Sequence, residues 1–394
     1  MRTFLIILTA LLVVLAVAAA FVAGFVVHDV VYGDTGLSAG QRADAQAAGD
    51  LQRYIIEDLQ AHYYKPVDAT RLGNAGVDGM LKSLHDRWTV YMDPTEAQAF
   101  ERALSGTYSG IGATLEKKGK KLIVTGVIDD SPAKEAGLKA GDQIVTVDGR
   151  PTAGDELQAT VGRIKGPVGT QVKLGVRRAA AGPVETVTLT RRTLPFPETT
   201  TRLLHKGGKA IGYIDLVAFA NGVGDDVRKD IDKLRARGAQ AFIFDLRYNG
   251  GGYLDEAVNV TSDFLEKGVV VSAYGLHYPR RTYKANGDAA TGQPLVVLVN
   301  GYTASASEIT AGALQDHDRA TIVGTQTFGK GLVQNTYTMP EGALLKMTVA
   351  TYFTPDGRNI NHKGITPNVK APDLPKTKTD ETLDRAIQSI VDGR

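Results

Sequence analysis

Cysteine is missing from all 394 residues, which excludes disulfide staples, thiolate metal sites and a cysteine nucleophile. An excess of charge is missing too. Against 45 basic residues stand 43 acidic ones, a formal net charge of +2 with no basic stripe, so nucleic acid or an acidic polymer is not expected as a partner. The seven histidines, at 28, 62, 85, 205, 277, 317 and 362, fall in no pattern that assembles a Ser-His-Asp triad. Neither a repeat of solenoid period nor a low-complexity tract beyond alanine-rich stretches is visible.

Long apolar runs are scarce, with one exception at the start. Arg2 precedes an uncharged, mostly apolar stretch from Thr3 to Val27, long enough as a helix to cross ~30 Å of hydrocarbon. Ala18 and Ala20 also form an A-x-A-like cleavage site, but the apolar run continues past it through Phe21, Val22, Phe25 and Val27. Residues 1–30 are therefore expected to be an uncleaved transmembrane helix. With Arg2 inside and His28, Asp29 and Asp34 outside, the rest of this single-pass chain is expected outside the cytoplasm, in a periplasmic or cell-surface setting.

Glycine, by contrast, is plentiful. The chain holds 44 glycines and is 43% hydrophobic, which suits a folded, strand-rich protein of more than one domain. Residues 34–105 are polar and helix-patterned, with Leu51, Ile55, Ile56 and Leu59 on one face. Between 106 and 194, β-branched runs such as L-I-V-T-G-V-I and Q-I-V-T-V-D-G flank a short helical piece closed by Gly137 and Gly141, a compact mixed module. The prolines of L-P-F-P-E-T-T-T mark a boundary. From 195 to 371, strand, helix and strand alternate in a βαβ rhythm, so a largely parallel sheet is expected with functional loops at the strand ends. Residues 372–394 read as a linker and a terminal amphipathic helix.

Two residue types in these loops could do chemistry. Ser305 follows the strand P-L-V-V-L-V-N inside N-G-Y-T-A-S-A-S-E, a strand-to-helix turn of small residues that exposes a hydroxyl. Backbone N–H groups at that helix start, Ala306 included, are unpaired by geometry and can face an oxyanion. Taken alone, Ser305 or Ser307 reads better as a helix cap with Glu308 as its capping-box neighbour. Lys330, in G-T-Q-T-F-G-K-G-L-V-Q, has no carboxylate near it in sequence, and a lysine acts as a base only when its amine is neutral. That segment approaches the phosphate-loop pattern G-x-x-x-x-G-K-[ST], but Gly331 replaces the hydroxyl and L-V-Q-N-T-Y-T-M reads as a strand, against nucleotide binding. The loop D-L-R-Y-N-G-G-G-Y permits close backbone approach, so an amide of Gly251 or Gly252 could be a second oxyanion donor. Asp245 and Arg247 read as a structural ion pair.

Together, G-D-Q-I-V-T-V-D-G, I-K-G-P-V-G-T, D-L-R-Y-N-G-G-G, N-G-Y-T-A-S-A-S-E-I-T-A-G-A-L-Q-D and G-T-Q-T-F-G-K-G-L-V-Q resemble the C-terminal processing (tail-specific) peptidase family, over most of the chain. That family sets its nucleophile and lysine 25 positions apart with a glutamine four further on, as Ser305, Lys330 and Gln334 are here, which selects Ser305 over Ser307. The resemblance implies an α/β and mixed architecture: a PDZ domain (106–194) before a crotonase-like peptidase core. It implies a serine endopeptidase in which Ser305 attacks, Lys330 acts as general base and acid, and Gln334 orients the lysine. It also implies capture of C-terminal protein tails by Tyr108, Ser109, Gly110, Ile111 and Gly112, no metal or other cofactor, and a homodimer or an activating partner. Gly250, where that family usually has proline, and Thr303, where a smaller residue is common, depart from its pattern. The alternative is an inactive PDZ adaptor that tethers tails at the membrane.

Overall fold

The run Leu295–Val299 is apolar at every position because the strand it forms is covered on both faces. Val297 and Val299 point to one cluster, with Phe242, Phe244 and Ile322, while Val296 and Leu298 point to another, with Ala241, Ile243 and Val323. The structure, a computed structural model, describes residues 36–178, 182–195, 198–372 and 379–393.

Six strands make this sheet, in the order Thr199–Lys206, Lys209–Leu216, Ala241–Asp245, Leu295–Val299, Thr321–Gly324 and Val369–Lys370. The first pair is an antiparallel hairpin and all later pairs are parallel, the arrangement expected from the alternating rhythm. One face packs on the helices Val223–Ala236, Leu254–Phe264 and Ala306–Asp316. The other receives the terminal helix Glu381–Asp392 through Ala386 and Ile390, so that helix buries its apolar stripe against its own chain. Arg247 holds the same helix in place. Its guanidinium bonds Asp245 Oδ2 at 2.6 Å and both carboxylate oxygens of Asp380, the helix N-cap, at 2.7 and 2.9 Å. The expected structural ion pair is thus present, and it reaches across to the terminal helix.

Because the strands run parallel, the loops 246–253, 300–305 and 325–331 leave the sheet at the same edge, the carboxyl ends of their strands. Beside it lies an antiparallel sheet of Val90–Met92, Leu332–Thr338, Leu344–Phe353, Val269–Gly275 and Tyr278–Lys284. Residues 88–104 belong with these elements rather than with the helices before them.

The module between 106 and 194 has its own antiparallel sheet and its own core, with Val124, Ile144, Val172 and Leu174 fully buried. The chain enters and leaves it along a two-stranded ribbon, Thr107–Gly110 paired with Arg192–Pro195. Glu198 lies just past the ribbon, and one of its carboxylate oxygens is buried with no donor among the described residues. Burial raises its pKa to about 7. A carboxyl whose folded-state pKa stands above the unfolded value favours the fold only when neutral, so this stabilisation is complete below about pH 4.5 and is lost as pH rises through about 7. Glu198→Gln is expected to raise the melting temperature by about 2 °C at pH 8 and to leave it nearly unchanged at pH 4.5, checked by thermal melts at both values.

Residues 36–87 form a separate unit. Its helices, Ala39–His62 and Ala69–Lys82, begin at the side-chain caps Ser38 and Asp68. Of the expected apolar face, Ile56 and Leu59 are half-buried and Leu51 and Ile55 exposed.

The fold class needs one correction. Among the described residues no helix is long and apolar enough to cross a membrane, and the expected span at 3–27 lies outside the described residues. The described residues are mixed α/β and include no membrane-spanning helix, so the expected N-terminal transmembrane helix and attachment through it are not supported.

Candidate active site

Ser305 is positioned by an irregular backbone. At φ 57°, ψ −117° it occupies a region that side-chain-bearing residues rarely adopt, which costs on the order of 1–3 kcal/mol and persists only where surrounding contacts enforce it. Glu308, fully buried one turn into the following helix, supplies those contacts. Its Oε2 accepts the backbone N–H of Ser305 at 2.9 Å and that of Lys330 at 2.9 Å; its Oε1 accepts Gly329 N–H at 2.7 Å and the Thr327 hydroxyl at 2.5 Å. One carboxylate therefore ties the serine turn to the lysine loop. Below it the buried Tyr352 hydroxyl stands 2.7 Å from the Lys330 carbonyl and 3.1 Å from that of Ser305. Burial and the Glu308 charge hold this phenol well above its usual pKa, so it remains a donor.

Ser305, Lys330 and Gln334 line one cleft of about 340 Å³, together with Ala306 and Gly250–Gly252. Ser307, the competing serine, is fully buried, and its hydroxyl donates to the Asn249 carbonyl at 3.0 Å. Gln334 donates its side-chain amide to the Trp88 carbonyl at 2.6 Å. That bond uses one of the two N–H donors and fixes the amide, whose oxygen end can accept from a lysine ammonium. Lys330 Nζ lies 4.3 Å from the centroid of the Trp88 ring, a contact that stabilises an ammonium. After Gly331 the chain continues as the strand Leu332–Thr338, so no helix N-terminus stands behind this loop to cradle phosphate.

The glycine loop reaches the cleft because Asn249 anchors it. Its side chain donates to the Leu216 carbonyl at 2.9 Å and accepts Gly251 N–H at 2.9 Å, and its own carbonyl accepts Ala304 N–H at 3.0 Å. The Gly251 amide is thereby occupied, whereas the amides of Gly252 and Ala306 donate to no described residue. Gly251 serves instead by its missing side chain. At φ 100° a Cβ there would stand 2.8 Å from Ser305 Cβ and 2.9 Å from Ala306 N. Gly251→Ala is expected to lower kcat on the order of 100-fold with little change in KM, which steady-state kinetics on a cleavable peptide would check.

In the smaller module, Tyr108, Gly110, Ile111 and Gly112 line a groove of about 230 Å³ closed by Ile128, Val161 and Lys165. The amides of Ile111 and Gly112 donate to no described residue. The expected fifth member, Ser109, is absent from the groove lining and turns its hydroxyl to the Gly166 carbonyl.

Glu308 is the capping-box neighbour the sequence suggests and also joins the lysine loop; the sequence assigns no role to Trp88, Asn249 or Tyr352. The one local signal was the glutamate itself, set among small residues at a helix start, where a carboxylate that folding buries must find partners.

Residues 210–371 match peptidase family S41, and residues 123–178 match a PDZ domain. The carboxy-terminal processing protease CtpA of Bacillus subtilis is 34% identical over 339 residues, covering 84% of this chain and 72% of its own length. The carboxy-terminal-processing protease of Bartonella bacilliformis is 37% identical over 321 residues, 80% and 73% of the two chains. Among solved structures, a photosystem II D1 C-terminal processing protease is 28% identical with a TM-score of 0.51, covering 90% of this chain and 99% of that one.

Proposed function

The chain belongs to peptidase family S41, as a PDZ-containing serine-type C-terminal processing peptidase, and on that premise we propose that it cleaves extracytoplasmic protein tails by a Ser305–Lys330 mechanism. The observation that carries this reading is the buried Glu308 carboxylate, which binds the backbones of two residues that line one cleft. Lys330, as the neutral amine, takes the Ser305 proton while Oγ attacks the scissile carbonyl. The oxyanion is met by the amides of Ala306 and Gly252. The tetrahedral adduct collapses as the C–N bond breaks, Lys330 returns its proton to the leaving amine, and an ester on Ser305 remains. Water, deprotonated by the same amine, hydrolyses that ester and restores the serine. Gln334, fixed by the Trp88 carbonyl, orients the amine throughout.

Recognition is assigned to the groove at Tyr108 and Gly110–Gly112, where consecutive loop amides capture a terminal carboxylate and the tail adds as a strand. The extracytoplasmic setting of the substrates is supported by the sequence alone, in which Arg2 precedes the uncharged, mostly apolar run at 3–27 and His28, Asp29 and Asp34 follow it. Tail dependence is tested with an unstructured substrate carrying a free or an amidated C-terminus. Amidation is expected to raise KM at least 10-fold on removing the charge-assisted contact; equal KM values would remove the groove from substrate recognition.

A further inference from the structure

The catalytic cleft has a charge of one sign. Lys330 and Lys346 both line it, and none of its lining residues is acidic. Lys346 lies on the strand Leu344–Phe353, opposite Thr336 on the neighbouring strand, while Gln334 pairs with Thr348. Gln334, Thr336 and Lys346 all face the cleft, so Lys346 stands two strand positions, about 7 Å, beyond Gln334. Its ammonium is 5.1 Å from the Phe100 ring centroid and forms no ion pair with any described residue. Half-burial holds its pKa below the usual lysine value, the mark of a cation that lacks solvent and lacks a counter-charge. An anion entering the cleft would remove that penalty and form a charge-assisted bond.

We propose that Lys346 is a specificity-determining subsite for a carboxylate side chain, selecting substrates with Asp or Glu two or three residues from the scissile bond. The spacing follows from geometry. A substrate held at Ser305 and running extended along the cleft past Gln334 advances about 3.3 Å per residue, and the lysine lies about two such steps beyond Gln334. This inference rests on the Ser305 site described above. The tail's own carboxylate is the other source of the same chemistry, and the PDZ groove already accounts for it.

The test uses the full chain and paired peptides that differ only in Asp or Glu against Asn, Gln or Lys at the second and third positions on each side of the cleaved bond, each with a free and an amidated C-terminus. At one position the acidic peptide is expected to have kcat/KM about 10-fold above its amide isostere and further above lysine, and the ratio should shrink as salt rises. Lys346→Met should bring it close to one, and Lys346→Glu should invert it toward lysine. A wild-type ratio near one at every position, or a preference unchanged in Lys346→Met, overturns the proposal. So does a preference that vanishes on amidation of the C-terminus, which would put the terminal carboxylate at Lys346. The wild-type ratios suffice if the variants do not fold. Ser305→Ala run alongside separates the two levels: cleavage surviving in it overturns the site itself, whereas serine-dependent cleavage indifferent to acidic residues overturns only the role of Lys346.

Discussion

Ser305→Ala is expected to lower kcat for peptide hydrolysis by about 10⁴–10⁶-fold, the range seen when a serine nucleophile is removed from a preorganised site. The fold should survive, because the Ser305 contacts that hold the turn are made by its backbone N–H and carbonyl, and alanine keeps both. Tail binding should survive as well, since the proposed groove belongs to a module with its own core. Lys330→Ala should match this loss and not add to it in the double variant, because nucleophile and base act as one unit. The pH profile follows from the role of the amine. A protonated lysine accepts no proton, so kcat/KM should fall toward acid with a slope of one. A profile flat from mildly acidic to alkaline pH would contradict lysine as the base. An inactive adaptor would show retained peptide binding and no serine-dependent hydrolysis at any pH.

The second large effect is expected at Glu308. Glu308→Ala leaves the backbone N–H groups of Ser305, Gly329 and Lys330 and the Thr327 hydroxyl without their common acceptor. Each buried donor left unsatisfied costs about 1–3 kcal/mol, and water entering the gap recovers part of it, so a net loss of about 3–5 kcal/mol is expected. The two loops then separate, and kcat should fall by at least 100-fold. Glu308→Gln keeps one acceptor oxygen but turns an NH₂ toward backbone donors, so it should lie between wild type and Glu308→Ala in both melting temperature and kcat. Denaturant melts alongside kinetics separate the effects: Ser305→Ala loses rate alone, Glu308→Ala loses rate and stability together.

How far the sequence carried depended on whether a feature was local. The parallel sheet was legible because strands covered on both faces must be apolar throughout, as Leu295–Val299 is, and because prolines at 195 and 197 mark the exit from the smaller module. Motif order and spacing singled out Ser305 and Lys330, which the fold brings to one cleft. The partners that position Lys330 and Gln334 were not legible, because each is distant in sequence. Trp88 reaches Gln334 across 246 positions, and Glu308 meets Lys330 across 22. Lys330 looked remote from any carboxylate along the chain, yet folding brings one to its backbone. The Gly251 amide looked free for an oxyanion until the Asn249 side chain, two residues away, was seen to occupy it. Competition between a side chain and a ligand for one N–H is decided by rotamer, which local sequence does not specify.

The central claim is that Ser305 becomes acylated with Lys330 as its base. Its most direct measurement is mass spectrometry of the protein quenched while hydrolysing an activated ester substrate, in wild type and in Lys330→Ala. The expected result is one acyl group on the peptide containing Ser305 in wild type, none in Ser305→Ala, and formation slowed by at least 10³-fold in Lys330→Ala. Acylation at another residue, or at an undiminished rate without Lys330, would contradict the account.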